Sequence, residues 1–204
     1  MRWPMNRGAL VAAGSLLLAA LLVAEFRRPL NSDSAWLLYV ARRVFQGDRL
    51  YIDLIEINPP LIVWLQVPAV ALARAVGSSP VTTLRLFVLA WVALSLLLSA
   101  LALQRTLPGK QARDFVLLVQ ALVLLAWTRT HFAEREHLAL AAVLPYFFLI
   151  ASMLPAGANH SALRIVIGVF AGLGLALKPH FIVVWIACLG LGFTSRPLRS
   201  ALPL

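Results

Sequence analysis

Acidic residues are scarce in this chain. Eight Asp and Glu stand against 18 Lys and Arg in 204 residues, a formal net charge of +10. Charged residues of either sign make up only 13%, where soluble domains carry about 25%. The shortage excludes an ordinary soluble domain, because 61% of the residues are hydrophobic and the mean hydropathy is +0.87. A water-soluble chain this small could not bury so much apolar surface, so lipid must cover the excess. The one cysteine, Cys188, lies in an apolar run; it excludes an intrachain disulfide and leaves the redox compartment unread. No internal repeat, low-complexity tract or His-Glu-x-x-His pattern is present. The excess of cations does not make a nucleic-acid surface. They sit in short clusters between apolar runs, as topology signals and contacts to anionic headgroups or lipid phosphates do.

What is present is a series of runs near spanning length, about 20 residues at about 1.5 Å each for a hydrocarbon core of about 30 Å. The first, Gly8 to Ala24, follows Arg2 and Arg7. A signal peptide has a similar outline, but the run is long and Leu22-Val23-Ala24 is a poor cleavage site. It reads as an uncleaved first helix with a cytoplasmic N-terminus. Further runs are Pro59–Val76, Val81–Leu103, Phe115–Thr130, His137–Leu154, Leu163–Leu177 and Pro179–Thr194. If all crossed, the basic loop of Arg105, Lys110 and Arg113 would lie outside, against the preference of Lys and Arg for the cytoplasm. If Pro59–Val76 returns to the side it entered from, that loop, Arg164, Arg196 and Arg199 all become cytoplasmic. Pro59, Pro60 and Pro68 interrupt this run and Arg74 charges its end. The expectation is therefore one all-α transmembrane domain over residues 1–204, with about six spans. Residues 26–80 would form an outward first loop and residues 128–137 a second one.

Within the first loop, Ser34 to Gln46 reads as an amphipathic interfacial helix. Trp36, Leu37, Tyr39, Val40 and Val44 lie on its apolar side, and Arg42, Arg43 and Gln46 on its polar one. Asn31-Ser32-Asp33 is the start signal and Gly47 the stop. Asp33 has two readings, an N-cap carboxylate or a base held at the membrane surface. Asp48, Asp53 and Glu56 follow before Asn58-Pro59-Pro60, which fixes an extended step and a new helix start. Solvated loop residues are the plain alternative for these three acids.

The series Asp33, Ala41-Arg42-Arg43, Gln46-Gly47-Asp48, Pro59-Pro60-Leu61 and Trp64-Leu65 resembles the first outward loop of GT-C membrane glycosyltransferases. It is closest to the branch of protein O-mannosyltransferases and lipid A aminoarabinose transferases. The resemblance covers nearly the whole chain and corresponds to the N-terminal part of such enzymes. It implies a polyprenyl-phosphate sugar donor, a glycan, lipid or protein acceptor, and inverting transfer at the outward face of a bacterial inner membrane. It further implies that Asp33 is the general base. Where the family often has Lys before its Pro-Pro step, this chain has Asn58, so another cation must meet the lipid phosphate: Arg42, Arg43, Arg49 or Lys178. Glu56 and Asn58 join them as candidate substrate contacts.

The second loop, Thr128 to Leu138, carries six ionisable residues among eleven. A salt-bridged interfacial loop is the plain reading; ionisable groups at helix ends are also functional candidates. The resemblance places a second acidic residue here, best matched by Glu136 and next by Glu134. Glu134-x-x-His137 has a metal-ligand spacing, but the second copy such bundles need is missing. No metal or other cofactor is expected, and His131 and His137 read as hydrogen-bonding within the loop, with His137 a further substrate-binding candidate. Lys178 is outward by span parity; it either snorkels or, by the resemblance, contacts the lipid phosphate. Gly172 and Gly174 read as close helix contacts, and Trp127, Trp185 and Tyr146-Phe147-Phe148 as packing or interfacial anchors. Two rivals stand beside the transferase. A transporter or flippase would need charges at span centres or inverted repeats, and a truncated or non-catalytic membrane subunit would need neither.

Overall fold

The fold is known from a computed structural model that describes residues 7–104, 107, 109–126, 130–153, 161–183, 186, 187 and 190. Arg2, Arg105, Trp127, Thr128, Arg129, Leu154, Trp185, Cys188, Thr194, Arg196 and Arg199 lie outside the described residues. The described chain is all helical and has no strand. Its helices are α1 (Arg7–Phe26), α2 (Ser32–Phe45), α3 (Pro60–Ala75), α4 (Pro80–Leu103), α5 (Lys110–Leu125), α6 (Arg135–Met153) and α7 (Ser161–Leu177), followed by a single 3-10 turn at Pro179–Phe181.

Two helices, α1 and α4, are long and apolar enough to cross a membrane. Large apolar side chains on both remain uncovered by protein, among them Leu16, Val23, Leu86 and Leu97. Lipid is the environment in which such faces carry no cost. Helices α3 and α5 have 16 residues each and α7 has 17, about 24–26 Å by helical rise. Length therefore does not separate α3 from the segments expected to cross.

The amphipathic helix of the first loop begins two residues earlier than expected, and its cap differs. The Asn31 side chain accepts the Ser34 N–H at 2.7 Å, so Asn31 is the N-cap and Asp33 lies in the first turn. The cap reading of Asp33 is thereby corrected: it lies in the first turn, at a positive dipole end that favours it as an anion. Gly47 ends the helix at φ +109°, a conformation that favours glycine. Pro59 precedes α3 in extended conformation and Pro60 occupies its first turn, as the double proline predicts.

Polar contacts mark which helix ends lie together. At one end, Arg7 pairs with Asp114 between the starts of α1 and α5. At the other, Arg85 near the start of α4 faces Glu25 at 3.9 Å and donates to the carbonyls of Phe26 and Arg28, just past α1. Trp91 Nε1 donates to the Leu138 carbonyl at 3.0 Å and Ser95 to that of Ala141, so α4 and α6 run parallel. Helix α7 returns against α6. A Cβ on Gly174 would lie 2.8 Å from Ala142 Cβ and 3.0 Å from the Ala139 carbonyl. Gly172 meets nothing within 4 Å, so of the two glycines only Gly174 makes the expected close contact. Gly174→Leu is expected to lower stability by about 1–3 kcal/mol through overpacking; thermal unfolding in detergent, with Gly172→Leu as the mild counterpart, checks this. Tyr146 and Phe148 pack against the core where α4, α6 and α7 meet, as expected of that aromatic run.

Candidate functional site

The two outward-loop segments expected from the sequence meet through one carbonyl. Asn31 Nδ2 and Ser34 Oγ, on either side of Asp33, both donate to the Phe132 oxygen, at 3.1 and 2.8 Å. Beneath it, buried His137 accepts the Ala133 N–H on Nδ1 at 3.3 Å, and its ring lies 5.3 Å from that of Phe132. His137 is thus a support for the second loop. It is not among the residues that line the cavity beside Asp33.

These contacts bring Asp33 beside Glu134, Arg135 and Glu136. Together with Ser32, Trp36, Leu37, Glu56, Ile57 and Asn58 they line one cavity of about 340 Å³. Asp33, Glu134, Glu136, Glu56 and Asn58, singled out separately along the sequence, therefore share one space. Lys178 reaches its wall by an ion pair with Glu136.

The four carboxylates are not equivalent. Glu56 Oε1 accepts from the Ile57 and Asn58 N–H groups, both at 2.8 Å, and from Asn58 Nδ2 at 2.7 Å; Oε2 accepts from Trp36 Nε1 at 2.7 Å. That is a structural anchor, with little capacity left for a substrate. Glu134 lies 2.8 Å from His131 Nδ1, the loop-internal bond expected of that histidine. For Glu136, one residue before the apolar run that starts at His137, burial pushes the carboxyl up, but the Lys178 ammonium, a backbone N–H and the Arg135 charge together hold it below the usual carboxylate range. Asp33 differs from all three: no hydrogen bond or ion pair links its carboxylate to another described residue.

The loop arginines do not join the cavity. Arg43 pairs with Asp48 and lies 6.0 Å over the Tyr39 ring. Arg49 pairs with Asp53 at 3.0 Å and holds that carboxyl below its usual range. Arg49 lines a different groove with Phe45, Tyr51 and Trp64. Arg42 is exposed on α2 and is not a lining residue. The cation that does line the cavity is Arg135, which sequence reasoning passed over between two glutamates. The signal was present, since an arginine among acids at a helix start has to face either solvent or the same space as its neighbours.

A carboxylate with no partner among the described residues can accept a proton, and Arg135 and Lys178 beside it can counter an anion in the same small volume. Among the described residues, no group of three or more His, Cys, Asp and Glu is arranged to hold a metal ion. The chain matches no family model, no curated protein and no solved structure.

Proposed function

We propose that the chain is a polytopic glycosyltransferase of the GT-C kind, or the N-terminal part of one, with six spans and a bacterial inner-membrane location. It transfers a sugar from a polyprenyl-phosphate donor to an acceptor hydroxyl at the outward face. The observation that carries this reading is the cavity in which the Asp33 carboxylate has no partner among the described residues while Arg135 lines the same wall and Lys178 pairs with Glu136. In the reaction, the acceptor oxygen attacks the anomeric carbon as Asp33 takes its proton. The bond from that carbon to the phosphate oxygen breaks, the electron pair leaves with the lipid phosphate, and the anomeric centre inverts. Arg135 and Lys178 offset the charge that develops on the phosphate.

The non-crossing reading of the Pro-Pro segment has support in the Arg85 contacts. If α1 and α4 both cross, the chain leaves α1 and enters α4 at the same end of the bundle. A single crossing by α3 between them would put those ends on opposite sides.

Reconstituted vesicles supplied with a labelled polyprenyl-phosphate sugar test the reading. Label is expected to move to a hydroxyl acceptor with inverted configuration; donor crossing the membrane with no transfer points to a flippase and overturns it. Arg135→Gln is expected to weaken donor binding about 10- to 100-fold, the value of one charge-assisted hydrogen bond, measured by titrating donor against transfer rate.

A further inference from the structure

Residues 49–58 join α2 to α3, and their burial alternates in an unusual sense. Leu54 is 8% exposed, Ile55 92%, Glu56 8% and Ile57 94%. An extended segment on a water-facing surface turns its apolar residues in and its charged ones out. This one turns a carboxylate in and two isoleucines out. The arrangement is built firmly. Glu56 accepts the hydrogen bonds from Trp36, Ile57 and Asn58 described above, and the Tyr51 hydroxyl donates to the Asn58 carbonyl at 2.6 Å. The isoleucines project from a tied loop.

The charges around them are neutralised within the segment. From Arg42 to Asn58, three arginines (Arg42, Arg43, Arg49) meet three acids (Asp48, Asp53, Glu56). Arg43 pairs with Asp48, Arg49 with Asp53, and Glu56 turns inward. Ile52 is also mostly exposed, and Trp36, Tyr39, Tyr51 and Trp64 present half-exposed rings on the loop and its flanking helices. Isoleucines outermost, aromatic rings nearby and two of three arginines paired within the segment are the composition of a segment seated at the boundary between headgroups and acyl chains.

We infer that the 49–58 loop is a membrane wedge: Ile52, Ile55 and Ile57 insert into the outer leaflet of the bilayer that the chain spans, while inward Glu56 locks the loop to α2. Because Ile57 and Glu56 also line the cavity, the wedge sets that cavity's mouth at the lipid surface. The inference does not depend on the reaction proposed above.

The test uses the full chain with Cys188→Ser and either Ile55→Cys or Ile57→Cys. Each cysteine carries a nitrobenzoxadiazole label, in vesicles of phosphatidylcholine and phosphatidylglycerol. At both positions the emission is expected to shift to the blue, to be quenched by phospholipids bearing acyl-chain nitroxides and to resist aqueous iodide. Asp53→Cys, on the polar side of the loop, is expected to be quenched more by iodide than either isoleucine position. Iodide quenching at both isoleucine positions overturns the wedge. So does shielding from both quenchers, which indicates a covering protein surface. Circular dichroism and monodisperse elution of each labelled variant establish that it is folded, and the two positions are read independently.

Discussion

Asp33→Asn is expected to lower sugar transfer by about 10²- to 10⁴-fold, the usual contribution of a positioned general base. Amide and carboxylate have nearly the same shape, and Asn31, not Asp33, caps α2. The substitution therefore removes proton acceptance while leaving the helix start intact. The Asn31 and Ser34 bonds to the Phe132 carbonyl continue to hold the backbone on either side. Glu134→Gln is expected to have a smaller effect, because Glu134 is already engaged with His131. Glu56→Gln acts differently again. It weakens the anchor built from Trp36, Ile57 and Asn58, so its loss of activity is expected to come with a loosened loop and raised protease sensitivity between residues 49 and 58. Rates of transfer from a labelled donor, measured on the variants at equal folded concentration, separate these cases.

Replacing Arg85 by methionine is expected to cost stability by about 3–5 kcal/mol, the penalty for stranding one partner of a buried charge pair. Both members are buried, Glu25 at 7% and Arg85 at 5% exposure. Arg85 also donates to the carbonyls of Phe26 and Arg28 and lies 5.7 Å over the Phe26 ring. It thus satisfies backbone acceptors at the C-terminal end of α1, where the helix dipole favours a cation. Losing it leaves Glu25 with Arg28 as its remaining neighbouring cation and takes the Arg85 donors from those carbonyls. The double variant Glu25→Leu/Arg85→Met is expected to be milder than Arg85→Met alone, because no unpaired charge remains. Unfolding in detergent with increasing denaturant compares the single and double variants; equal losses would mean that the carbonyl contacts, and not the charge pair, dominate.

Much of the helical organisation is legible in the residues themselves. The apolar runs around Gly8–Ala24 and Val81–Leu103 coincide with α1 and α4, and Pro59-Pro60 marks the start of α3. Asn31-Ser32-Asp33 marks a helix start, but three capping-competent residues in a row do not reveal which one caps. The Phe132 carbonyl accepts from the Asn31 amide nitrogen while the Asn31 oxygen takes the Ser34 N–H, so the cap is held in place by a contact between residues about a hundred positions apart. For the same reason, the acids of the two loops could be proposed one by one, but their common cavity could not be read from spacing. Arg42, Arg43 and Arg49 looked available as phosphate contacts because sequence shows charge without partners. In the fold Asp48 and Asp53 take two of them, and Arg135 lies at the cavity instead. His137 shows the converse, a residue offered by the sequence that the fold buries, with its ring nitrogen accepting the Ala133 N–H. Which way the side chains of Leu54-Ile55-Glu56-Ile57 turn is fixed by Trp36 holding Glu56 inward, a contact across 20 residues that the spacing does not show.

Donor binding and transfer, measured together on the wild-type chain and on Asp33→Asn in the same vesicles, test most directly the claim that Asp33 is the proton acceptor of a lipid-dependent sugar transferase. The expected result is that both proteins bind a polyprenyl-phosphate sugar with similar affinity, through Arg135 and Lys178, and that only the wild type passes the sugar to a hydroxyl. Equal transfer by folded Asp33→Asn would contradict the account.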